Sequence, residues 1–227
     1  MKSSNHRLGR SAALLVSALG ASVLLSACAP LLLGGAAVGS AMVVTDRRST
    51  GTQLDDQSIE LKAVNRIAPI AGDRGHVSAT SYNKVVLLSG EVPDEAMRAR
   101  VEQQVRSIEG VRSVVNELAI LAPSSLTARS NDSLLTSKVK ASYVDAKDVF
   151  ANAIKVVSER GTVYLMGRVT EREANRASDI ARGVNGVQKV VRVFEVITEA
   201  ELAELQPKQA QTQSQPPQPQ PQTPPKQ

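Results

Sequence analysis

Few residues in this 227-residue chain have the chemistry for catalysis. It has one cysteine, Cys28, and two histidines, His6 and His76. A lone cysteine cannot close an internal disulfide. So few thiols and imidazoles leave no zinc-type ligand cluster and no nucleophile–base pair of the usual kind. Carboxylates do gather, at Asp55-Asp56, at Glu91, Asp94 and Glu95, and at Glu171 and Glu173. Paired carboxylates can do acid–base work. These stand at expected helix starts, where negative charge meets the helix dipole, so capping is the role expected of them. Gly90, Gly110, Gly167 and Gly186 are too widely spread to form a phosphate-cradling loop and are read as backbone punctuation. The most suggestive cluster is Leu134-Leu135 with Lys138 and Lys140. It admits two readings. Either the leucines are core and the lysines a solvated face, or apolar side chains dip into a bilayer while the amines meet lipid phosphates. A basic side chain near an anionic membrane surface is worth about 1 kcal/mol.

The ends of the chain set the compartment. Lys2, Arg7 and Arg10 precede an apolar run from Ser11 to Leu25, followed by Leu25-Ser26-Ala27-Cys28. A charged start, a short apolar run and small residues before a cleavage point describe a secretory signal. The run falls short of the roughly 20 residues that a spanning helix needs. Its Leu-Ser-Ala-Cys ending resembles the bacterial lipobox. That resemblance implies loss of residues 1–27, a diacylglycerol on the Cys28 thiol and an acyl chain on the new amine. Ala29-Pro30, rather than an aspartate, resembles the outer-membrane sorting class. Residues 28–54 are expected to be a lipidated tether, since Gly34, Gly35 and Gly39 interrupt the apolar stretch Leu31–Val44. Residues 198–227 are expected to be a disordered tail, with Pro, Gln, Thr, Ser and Lys dominating from Gln206 onward. The whole chain carries +5. Lys2, Arg7 and Arg10 leave with the signal, so the mature protein is near +2, which is no nucleic-acid-binding excess.

The middle is one unit written twice. Val85-Val86-Leu87-Leu88-Ser89-Gly90-Glu91-Val92 matches Thr162-Val163-Tyr164-Leu165-Met166-Gly167-Arg168-Val169, and Glu109-Gly110-Val111 matches Asn185-Gly186-Val187. Two modules follow, residues 55–121 and 131–197, joined by a linker at 122–130. Each is expected to run α-β-β-α-β. A first helix spans Asp56 to about Ile67, or Asp132 to about Val144, with the aspartate near the N-cap. Hairpin turns are expected at Asn83-Lys84 and Arg160-Gly161. The second helix carries an apolar stripe at Met97, Val101, Val105 and Ile108, or at Ala174, Ala177, Ala181 and Val184. Gly110 and Gly186 are expected to stop it. The last strand has apolar residues on both parities, so its inward face is ambiguous. Each unit is thus an α+β module with two helices on a three-stranded sheet. Cores this small are marginal alone, so the two are expected to pack together or to lean on the linker.

The module resembles the BON domain, most closely from Val163 to Ala174, with Ser130-Asn131-Asp132 and Gly186-Val187 in support. Two such modules behind a lipobox are similar to the dual-BON-domain outer-membrane lipoproteins of the DolP family. The resemblance implies a non-enzymatic protein facing the periplasm that binds anionic phospholipid, chiefly through its second module, and supports outer-membrane integrity. It also implies association with outer-membrane protein assembly or division proteins. It favours the lipid-contacting reading of the region around Leu134, Leu135, Lys138 and Lys140. No cofactor is implied beyond the lipid on Cys28.

Overall fold

The computed structural model describes residues 46–146 and 148–205. The expected lipidation site Cys28, the Leu31–Val44 stretch and the tail from Gln206 lie outside the described residues. The first module contains α1 (Thr50–Ala71), β1 (His76–Tyr82), β2 (Val85–Val92), α2 (Glu95–Arg106), β3 (Ser113–Asn116) and β4 (Ala119–Ile120). The second contains α3 (Leu126–Asp145), β5 (Ile154–Glu159), β6 (Thr162–Val169), α4 (Glu171–Gly183) and β7 (Lys189–Val196). In each sheet the middle strand pairs antiparallel with the strand before it and parallel with the one after. β3 and β4 both pair with β2 and form one interrupted edge, broken where Leu118 turns into the core.

The first helices begin earlier than their aspartates predict. Ser49 and Ser125 are the N-caps, accepting from the amides of Thr52 and Ala128. α1 therefore starts inside the span expected as tether, and α3 inside the expected linker. Asp56 and Asp132 are not caps. They lie within the helices and turn inward to hold the hairpin turns. Asp56 accepts from the amides of Asn83 and Lys84, both at 2.8 Å, and from the Ser81 hydroxyl at 2.6 Å. Asp132 accepts from the amides of Arg160 at 2.9 Å and Gly161 at 3.0 Å. Both residues of each turn have positive φ, between 50° and 71°. This is the hairpin geometry whose twist suits antiparallel strands. Arg160, Asn83 and Lys84 are not glycines, so the buried carboxylates stabilise a backbone conformation that costs about 1 kcal/mol or more.

Burial alone pushes the Asp56 carboxyl up, but hydrogen bonds from Ser81, the Lys84 amide, Arg48 and the Asn83 amide outweigh it and hold its pKa below the usual value. The group thus stabilises the fold above the ordinary carboxylate range, and that contribution is lost as pH falls through its lowered pKa.

The second helices start as expected. Asp94 caps α2 through the Met97 amide, and Thr170 with Glu173 forms a reciprocal capping box on α4. Glu91 does not cap a helix; it is fully buried in β2 and accepts from the Ser124 amide at 3.1 Å. The apolar stripes face the sheets, with Val101, Val105, Ala177 and Ala181 fully enclosed. α2 and α4 end at Arg106 and Gly183, with C-caps Ser107 and Val184. Gly110 and Gly186 therefore serve the turn that follows rather than the helix stop. Gly90 and Gly167 lie within β2 and β6, where they are not punctuation. A Cβ on Gly90 would sit 2.1 Å from the His76 carbonyl oxygen, and one on Gly167 would sit 2.5 Å from that of Ala153. They let neighbouring backbone pass close by. A further helix, α5 (Glu199–Leu205), occupies part of the expected tail. Leu202 is buried, and Thr198 and Glu201 exchange capping hydrogen bonds.

The two sheets meet on the faces away from their helices. Tyr82, Leu87, Tyr164 and Met166 form a shared core there, joined by Val115, Val157, Val191 and Val193. Each large side chain so buried contributes about 2 kcal/mol. The ambiguous register of the last strand now has its cause. β7 is covered on both sides: Val190 and Phe194 pack with the helices, while Val191 and Val193 pack against the other module.

Polar groups ring this seam. Lys155 binds Glu60 at 2.7 Å and the Ser81 carbonyl at 3.1 Å. Glu195 accepts from Asn83 and Arg112 of the first module, both at 2.7 Å, and from Arg168 at 3.1 Å. Of two arginines ahead of α1, Arg47 ties across it and Arg48 stays on the first module. Arg47 meets both oxygens of Glu173 at 2.7 Å and the Arg168 carbonyl at 2.7 Å. Arg48 binds Asp56 at 2.8 Å and lies 4.2 Å from the Tyr82 ring centre. The planar guanidinium fork suits such bidentate pairing.

Candidate functional site

The outer side of α3 forms one wall of an open cleft of about 370 Å³ in the second module. Of the four residues singled out on this helix, three line it: Leu134, Leu135 and Lys138. Leu134 is 61% exposed, and Lys138 follows one helical turn later on the same face. Leu135 corrects the sequence expectation. It is 6% exposed and belongs to the module's core, where it forms the floor of the cleft. Its side chain is not available to a bilayer, because a step of one residue rotates it about 100° from Leu134 toward the sheet. Lys140 is exposed but does not line the cleft.

The opposite wall comes from distant sequence. Arg160 and Gly161 arrive from the β5–β6 turn, and Asn185, Gly186 and Gln188 from the turn after α4. Asp132 connects the walls, since its carboxylate holds the Arg160-Gly161 turn against α3. Arg160 was legible only as a turn residue and Gly186 only as punctuation. Nothing in their local sequence announces a shared cleft. The Arg160 guanidinium also lies 3.5 Å from Glu91 of the first module.

The cleft therefore offers an exposed aliphatic side chain beside two cations and amide side chains. Such a surface can insert one apolar group below a headgroup layer while amines and guanidinium meet phosphate oxygens.

The four glycines serve the scaffold, and only Gly186 also borders the cleft. His76 opens β1. Burial lowers its pKa, as does nearby Arg129, while Glu91 opposes them. Among the described residues no group of three His, Cys, Asp or Glu side chains converges as a metal site would require. Nor is any described helix long and apolar enough to cross a membrane.

Comparison with known proteins places this architecture. The BON domain model matches residues 56–122 and again residues 131–198. The outer membrane lipoprotein DolP of Haemophilus influenzae is 43% identical over 183 residues, covering 79% of this chain and 93% of that protein. A 21 kDa hemolysin of Actinobacillus pleuropneumoniae is 30% identical, covering 67% of this chain and 79% of its own. The osmotically-inducible protein Y of Escherichia coli is 28% identical, covering 65% and 76%. None of these names describes an enzyme. With both modules matched and most of the chain aligned to an outer-membrane lipoprotein, the chain belongs to the BON-domain family as a dual-BON outer-membrane lipoprotein of the DolP type.

Proposed function

We propose that this lipoprotein binds anionic phospholipid through the α3 cleft of its second module and thereby supports outer-membrane integrity. On this reading Cys28 carries the diacylglycerol and N-acyl chains, and the modules face the periplasm. Leu134 enters the acyl boundary, while Lys138 and Arg160 meet the phosphate. Lys140 contributes only long-range attraction. The observation that carries the reading is the placement of Leu134, 61% exposed, on a cleft lip with Lys138 one turn away. A leucine left in water gains about 2 kcal/mol when covered. No reaction is assigned. The buried Asp56, Asp132 and Glu173 are occupied with turn amides, a helix cap and arginines.

The test is co-sedimentation of residues 45–227, whose described residues form one compact unit, with vesicles of phosphatidylcholine alone or with equal parts phosphatidylglycerol. Selective binding to the anionic vesicles, abolished by Leu134→Asp with Lys138→Glu, is the expected result. Equal binding to both vesicles, or selectivity that survives the double change, would reject the site.

A second reading has its own support. Leu54, Leu61 and Val64 are 62%, 66% and 57% exposed at helical spacing on α1. That stripe suits an adaptor contact with an outer-membrane assembly or division protein. Co-purification that persists in the Leu134→Asp, Lys138→Glu variant and is lost in Leu61→Asp would favour it.

A further inference from the structure

The same cleft is built twice, with different rims. Asp56 and Asp132 clamp equivalent hairpin turns, which aligns the two modules by geometry. In the first module a cleft of about 260 Å³ lies between α1, the Lys84 turn and the turn at Glu109-Gly110. Ile59 and Leu135 form matching floors, and Lys62 and Lys138 matching lips. Neither lysine makes an ion pair among the described residues, so the lysine is not what separates the clefts. The clamped turns differ, Lys84 standing where the second module has Gly161, and three positions elsewhere on the rim differ as well. Where the second module has Asn131, Leu134 and Asn185, the first has Asp55, Ser58 and Glu109. Asp55 also engages Lys84 at 3.1 Å, which neutralises the cation that the turn would otherwise offer. The first cleft thus sets two lysines against two carboxylates and has no exposed leucine. The second sets a lysine unpaired among the described residues and an arginine, the latter 3.5 Å from the buried Glu91, against one lining carboxylate, Asp132, which is already occupied with turn amides.

We propose that Asp55, Ser58 and Glu109 keep anionic lipid off the first module, and that Asn131, Leu134 and Asn185 admit it to the second. This rests on the lipid reading of the α3 cleft. The fold supplies both modules with the same scaffold and the same lysine. Lipid selectivity then comes from two rim charges and one apolar side chain. Near an anionic surface each carboxylate repels about as strongly as a lysine attracts, roughly fivefold in association for each charge. Removing both is worth on the order of twentyfold, before any gain from the leucine.

The experiment is a transplant. Residues 45–227 carrying Leu134→Asp and Lys138→Glu form the silenced background. Asp55→Asn, Ser58→Leu and Glu109→Asn are then added. All three positions are exposed, so the fold is expected to tolerate them, and a thermal melt verifies this. Binding is read on vesicles of phosphatidylcholine alone and of equal parts phosphatidylcholine and phosphatidylglycerol. The expected result is loss of selective binding in the background and its return with the transplant, on the order of twentyfold above background. A folded transplant that stays silent on anionic vesicles overturns the proposal while leaving the α3 site intact. A gain of equal size on neutral vesicles also overturns it, because the leucine alone would then be acting. If the background still binds as the parent does, the α3 site itself is wrong and the proposal falls with it.

Discussion

Glu159, at the end of β5, should make the folded unit more stable when mildly acidified. The residue is 8% exposed, and its Oε1 has no hydrogen-bond partner. Burial pushes its pKa up to about 7, helped by the nearby charges of Glu91 and Asp132 and opposed by Arg129 and Arg160. An ordinary glutamate titrates near 4.5. The native state therefore holds a proton through a range where the unfolded chain has released it. Below about pH 4.5 both states are protonated and the group contributes nothing. From there to about 7 stability falls as pH rises, and above 7 the full penalty is present. Its size is at most about 3 kcal/mol, reduced by whatever screening reaches the rim of the seam. Glu159→Gln keeps the shape and removes the charge. Urea unfolding of residues 45–227 across this range should show the variant equal to the parent near pH 4.5 and about 1–3 kcal/mol more stable at pH 8. Comparing variant with parent at each pH cancels the acid lability from Asp56, Glu173 and Glu195, whose pKa values are lowered. A difference that does not change with pH, or a variant less stable at pH 8, would refute the reasoning.

Two further outcomes follow from the scaffold. Arg47→Ala removes a bidentate partner from Glu173, whose side chain is 4% exposed. It leaves a buried carboxylate short of its cation and should cost about 3 kcal/mol, read as a lower urea midpoint at pH 7; Arg47→Lys should recover only part of the loss, since an ammonium cannot replace the fork. Gly90→Ala forces a Cβ to 2.1 Å from the His76 carbonyl at φ 116°. It should lower the thermal midpoint by far more than Gly183→Ala, where a Cβ meets nothing within 4 Å.

The tandem repeat, the order α-β-β-α-β, the turn positions and the apolar stripes of α2 and α4 were all legible in the chain, because each is written as a local period or a turn dipeptide. Helix starts were less so. Asp56 and Asp132 resemble caps in sequence, yet Ser49 and Ser125 take that role and free the aspartates for the turns. Leu134 and Leu135 are indistinguishable by type. One faces water and the other the core, and only the docking of α3 on its sheet separates them. Arg160, Asn185 and Gln188 join Lys138 through tertiary folding alone.

By itself, the sequence determined the secreted lipoprotein plan and two copies of a small α+β unit, since signals and periodicities act over neighbouring residues. The tertiary structure decided which leucine of α3 is left facing water, which charges share a cleft, and that the two sheets close on each other over Tyr82, Leu87, Tyr164 and Met166. Those outcomes depend on surfaces brought together from residues tens of positions apart, where burial and charge pairing are set by packing rather than by any local pattern.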